Sequence, residues 1–64
     1  MIIAQEMYWN EGKKTSMGTI SINPDNVMWV SHRQGYYRVQ FSLNVFVDIE
    51  CTDEVNAWVN NWKE

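Results

Sequence analysis

The sequence predicts an α+β fold: a twisted antiparallel sheet of four to five short strands, with one C-terminal helix packed on one face, in the order βββββα. Two observations carry this. Val45, Val47, Ile49 and Cys51 alternate with Phe46, Asp48 and Glu50, and a period of two marks a strand with one apolar face. At Thr52 the period changes. Val55, Trp58, Val59 and Trp62 then recur at i, i+3, i+4 and i+7, the stripe of an amphipathic helix. A third observation is length: 64 residues make a single domain spanning residues 1–64.

The elements follow in order. Ile2 to Trp9 reads as a first strand, with Met1, Ile3, Met7 and Trp9 able to line one side and Ile2, Ala4 and Tyr8 the other, so its inward side stays open. Asn10-Glu11-Gly12-Lys13-Lys14 is a polar turn in which Gly12 supplies a positive φ. Thr15 to Ile22 is a second strand, and Gly18 inside it points to a bulge or a close backbone approach. Asn23-Pro24-Asp25-Asn26 is the strongest turn signal in the chain. Val27 to His32 is a third strand, with Val27 and Trp29 opposed to Met28 and Val30. Arg33-Gln34-Gly35 turns the chain into Tyr36–Leu43. There Tyr37, Val39, Phe41 and Leu43 alternate with Tyr36, Arg38, Gln40 and Ser42. Ser42-Leu43-Asn44 reverses it into the last strand. Thr52 is placed as the helix N-cap, with Asp53 and Glu54 in the first turn, where negative charge suits the dipole. Lys63 suits the other end, and Asn56, Asn60 and Asn61 fall on the wet side. Val39, Phe41, Val47 and Ile49 are then expected to face Val55, Trp58, Val59 and Trp62.

A chain this short buries only roughly 60% of its unfolded surface, which leaves it marginal without added support. Cys51 is the only cysteine and His32 the only histidine, so neither an internal disulfide nor a Cys/His metal set is available. Four Trp, three Tyr and two Phe turn the expectation to aromatic packing and self-association. The formal charge of −3 gives no electrostatic case for nucleic acid. No apolar run approaches the ~20 residues of a membrane span, and the start has no basic n-region or long apolar core. With a lone cysteine, this suggests a cytoplasmic protein.

The candidate sites each have a bland reading beside them. Asp48, Glu50, Asp53 and Glu54 form the one charge cluster, read as a solvated strand face and helix N-terminal acids rather than a hard-cation site. Cys51, inward beside Val47 and Ile49, reads as a small hydrophobe, and His32 as a wet strand end, so no catalytic residue, metal site or cofactor is expected. Tyr36, Arg38 and Phe46 point away from the helix. Tyr36 and Phe46 are expected to pair across the ladder, joined by Met28 and Val30, and these five residues form the candidate protein-binding surface.

From Ile20 onward the order of signals resembles the small flagellar proteins of the FlbD type, and more faintly the half-barrel units of LytTR-type domains. The residues that carry it are Ile22-Asn23-Pro24-Asp25-Asn26-Val27, the hairpin from Tyr37 to Ile49, and Thr52-Asp53-Glu54-Val55. The resemblance implies the strand, turn, hairpin and helix order over residues 20–64. It carries no site residue to this chain, and Met7 to Thr19 lie outside it.

The resulting expectation is a small non-catalytic protein-interaction module: an adaptor, an assembly subunit, or a phage- or prophage-type modulator of a partner protein. It is expected to form a homodimer whose contact includes Tyr36 or Phe46, unless the first strand curls the sheet into a half-barrel that hides these groups. The alternative is an accessory nucleic-acid-binding protein that stacks bases on the aromatic residues of the open sheet face.

Overall fold

The computed structural model describes residues 1–62. Five strands and one helix follow in chain order: β1 (Ile2–Asn10), β2 (Lys13–Ile22), a single 3₁₀ turn (Pro24–Asn26), β3 (Trp29–Arg33), β4 (Tyr36–Gln40), β5 (Phe46–Glu50) and α1 (Asp53–Trp62). All strand pairs are antiparallel. The spatial order is β2-β1-β5-β4-β3. The first strand therefore pairs with the last, and β2 and β3, consecutive in sequence, lie at opposite edges.

Local chemistry accounts for the elements. Glu11 and Gly12, at φ 54° and 79°, join β1 to β2 with both central residues in the left-handed region, as a type I′ hairpin turn requires. Gly18 sits at φ 133° beside a register shift: Glu6 pairs with Gly18, but Met7 pairs with Ser16. Met17 is the extra residue of a β-bulge. The Asn23 side chain accepts from Asp25 N at 3.0 Å, and Pro24 opens the 3₁₀ turn, so this signal is read as the sequence indicated. Thr52 caps α1: its Oγ1 accepts from Val55 N at 3.3 Å, and its carbonyl from Asn56 N at 2.8 Å.

One side of the sheet carries the core. Ala4, Ile22, Tyr37, Val39 and Ile49 form one buried cluster with Val55, Trp58 and Val59 of the helix, and Ile2, Ile20, Val27, Val30, Phe41, Val47, Cys51 and Trp62 pack around it. Two hydrogen bonds tie α1 to the strands. Tyr37 donates its hydroxyl to Asn56 Oδ1 at 2.8 Å, and Ile3 N donates to Glu54 Oε2 at 3.3 Å. Asn56, expected on the wet side, is thus half-buried and bonded.

Several boundaries move. β4 ends at Gln40, because Phe41 N and Ser42 N both turn back to the Val45 carbonyl. Leu43 and Val45 consequently lie outside the sheet and exposed. β3 begins at Trp29, since Val27 N closes the 3₁₀ turn on the Pro24 carbonyl. Val27 packs with the core while Trp29 faces away, so the two do not share a side. The helix spans Asp53–Trp62 as its stripe indicates. Lys63 lies outside the described residues.

Candidate protein-binding face

The face opposite the core, the outer face, is set by register. Cross-strand partners share a side, so Ser31, Arg38, Asp48, Met7 and Ser16 form one row across all five strands. Neighbouring rows on the same face hold Trp29, Phe46, Trp9 and Lys14, and Arg33, Tyr36 and Glu50. Val30 is not among them. It pairs with Val39, and because cross-strand partners share a side it packs with Val39 against the core rather than facing outward as expected. Met28 precedes β3; its N–H donates to the Gln40 carbonyl at 2.7 Å, and its side chain is exposed. Tyr36 and Phe46 lie on this face but do not pair across the ladder. Tyr36 pairs with Glu50, Gln40 pairs with Phe46, and Arg38 lies between them.

At the centre of the face is a charge triad. Asp48 is only 7% exposed, the one buried charged residue among those described. Its Oδ1 accepts from Arg38 Nε at 2.8 Å, and its Oδ2 from Lys14 Nζ at 2.8 Å and Arg38 Nη2 at 3.1 Å. Burial pushes the carboxyl up, but the hydrogen bonds from Arg38 and Lys14, with their charges, outweigh it and hold Asp48 below the usual carboxylate range. The hydrogen bond to Asp48 raises Arg38 in turn. The reading of Asp48 as part of a solvated strand face is therefore corrected: it is the shared anion of two cations.

Rings surround the cations. Lys14 Nζ lies 4.0 Å from the Tyr36 ring centroid and 5.2 Å from that of Trp9, and the Arg38 guanidinium lies 4.2 Å from that of Phe46. Such contacts contribute about 0.5–2 kcal/mol each, more as they are desolvated. Lys14 is on β2 and Tyr36 on β4, with β1 and β5 between them. In a flat sheet those strands are ~14 Å apart, and the long Lys14 side chain and the Tyr36 ring bridge that distance over the outer face. Tyr36 is buried there at 9% exposure, while Phe46 stays at 48%, Trp9 at 56% and Trp29 at 58%.

The bulge makes this arrangement possible. With strict alternation along β2, Lys14 and Ser16 would share the core side with Ile20 and Ile22. The extra residue at Met17 flips them to the outer face, where Lys14 meets Asp48. The glycine at position 18 signals the bulge, but the phase change beyond it, which carries Lys14 outward, shows only in the pairing; Trp9 is missed because both sides of the first strand are apolar, and Trp29 because it is grouped with Val27.

The remaining candidates fall elsewhere. Burial, then the neighbouring Glu50 charge, pushes the Cys51 thiol up and away from thiolate character. His32 is on the core side and stacks on Tyr37, with centroids 4.7 Å apart. No group of three or more His, Cys, Asp or Glu side chains among the described residues is placed to hold a metal ion. No described helix is long and apolar enough to cross a membrane. No family model, curated protein or solved structure matches the chain.

Proposed function

We propose that this chain is a small protein-interaction module that presents the outer sheet face to a protein partner, while the helix lies along the other face as core. The observation that carries this is the row of Trp9, Phe46 and Trp29, each about half exposed, that runs beside the Lys14–Asp48–Arg38 triad on the outer face. Trp and Arg supply much of the energy at protein interfaces, and exposed rings rimmed by polar groups mark binding surfaces. Of the residues first singled out, Phe46 and Arg38 serve as contact groups. Tyr36 acts from below as the floor under Lys14.

Charge favours a partner that is acidic at the contact. The outer face holds Lys14, Arg33 and Arg38 against Asp48 and Glu50, a net of +1 (three minus two), on a chain of net −3. The rest of the chain therefore carries −4. The nucleic-acid reading is the weaker one, because the chain as a whole, at a net −3, repels a polyanion.

The test is capture from lysate by the tagged chain, compared with Trp9→Ala, Phe46→Ala and, as a control on the helix's exposed side, Asn60→Ala. Loss of the same captured protein with the two outer-face variants and retention with Asn60→Ala is the expected result. Retention on heparin or single-stranded nucleic acid that falls steeply with salt would support the nucleic-acid reading instead.

A further inference from the structure

We infer that the free edge of β3 pairs with β3 of a second copy about a two-fold axis at Ser31, joining two sheets into one of ten strands. This concerns the β3 edge; it shares Trp29 with the face proposed above but does not rest on that proposal.

The sheet has two free edges, β2 and β3. An unpaired edge is a template for another strand unless something blunts it. β2 is blunted: the Met17–Gly18 bulge breaks its regular run, and Lys13 and Lys14 crowd one end. β3 is not. It runs from Trp29 to Arg33 with no proline, lysine or bulge in it, paired residue for residue with β4.

The residue pattern of β3 is self-complementary. An antiparallel pair centred on Ser31 sets Trp29 against Arg33 of the second copy, Val30 against His32, and Ser31 against itself. All three matches suit their places. Trp29 and Arg33 share the outer face and are exposed in the single chain, so each dimer gains two Arg-over-Trp contacts. Only the small, neutral serine meets its own image, and no like charges stand opposite each other. Alternate residues along the strand present their backbone groups to the edge. Under this symmetry either alternate set, Val30 with His32 or Trp29 with Ser31 and Arg33, maps onto itself, so every edge donor finds an acceptor. The axis stands perpendicular to the sheet, which puts both outer faces on the same side, adjoining at Trp29 and Arg33. A partner with two contact segments would then bind both at once.

A five-residue edge is a small interface, so dissociation is expected in the window from about 1 μM to about 1 mM. Light scattering across that range should show the mass rise from 7.6 kDa toward twice that. Trp29→Lys places a lysine opposite Arg33 twice per dimer and should hold the mass at the monomer value, while Trp29→Phe should restore the rise. In a mixture of isotope-labelled and unlabelled wild-type chains, filtered nuclear Overhauser spectra should show contacts between the Trp29 ring of one copy and the Arg33 side chain of the other. A wild type that stays monomeric throughout, a dimer lacking those contacts, or a dimer that Phe46→Glu dissociates would each overturn edge pairing.

Discussion

Asp48 shows what alternation can and cannot convey at the scale of a residue. The period of two in β5 places it correctly opposite Val47 and Ile49, but says nothing of whether that side is wet. What buries it comes from Lys14, thirty-four positions away in the chain, and from rings on other strands. Removing the anion leaves two cations facing each other in a poorly solvated place, so Asp48→Asn should destabilise the fold by about 3 kcal/mol. The pH dependence has a definite sign. The folded pKa lies below the unfolded one, so the stabilisation is fully present above about pH 4 and is lost as the pH falls through the folded value. Urea melts at descending pH should show that acid loss in the wild type and a smaller one in Asp48→Asn. A second residue has the opposite promise. Glu11 holds φ 54°, a region that ordinary side chains occupy at some cost and Asn more readily. Glu11→Asn should therefore raise stability by about 0.5–1 kcal/mol, seen as a higher melting temperature.

The elements themselves were largely legible, because each rests on near neighbours in the chain. The Thr52 cap, the helix stripe and the Asn23-Pro24 turn depend on residues within one or two turns of each other, and all appear where their signals stand. Ends that depend on distant partners were less so. β4 stops at Gln40 although alternation runs on to Leu43, because the ladder runs out where the chain must turn back to Val45. β2 is the telling case. A Cβ added at Gly18 would meet nothing within 4 Å, yet φ 133° is a conformation that side chains rarely adopt. The cost of Gly18→Ala is thus one of backbone strain, about 1–3 kcal/mol. Because the bulge sets the phase of Lys14, the strain has a second readout. If the strand relieves it by losing the bulge, Lys14 leaves Asp48, and the Lys14 ammonium should lose the ring-current shift that Tyr36 and Trp9 impose on it. A variant as stable as wild type, with the Lys14 side-chain resonances unmoved, would mean the bulge does not need its glycine.

At the scale of the whole molecule, the strand order was the part that no local signal held. Pairing β1 with β5 brings together segments about forty residues apart, and only the shared burial of Ala4, Ile49 and the helix residues selects it. That shared burial makes the core small and concentrated. Among the described residues, five fully buried side chains dominate it: Ile22, Val39, Ile49, Val55 and Val59. Trp58 lies beside them, its indole N–H buried without a hydrogen-bond partner among the described groups. Its contribution is therefore one of area and packing rather than of polar bonding. Truncating so large a side chain leaves a cavity and should cost roughly 3–5 kcal/mol. A domain of this size holds only about 5 kcal/mol in total, so Trp58→Ala should be mostly unfolded near room temperature. Trp58→Phe keeps much of the ring and removes the unbonded N–H, and should remain folded, with a loss nearer 1 kcal/mol. Asn60→Ala, exposed on the far side of the same helix, should shift stability by no more than about 0.5 kcal/mol. Thermal melts followed by circular dichroism separate the three. If Trp58→Ala melts within a few degrees of Asn60→Ala, the helix does not close the core, and the outer face with its charge triad must carry the fold instead.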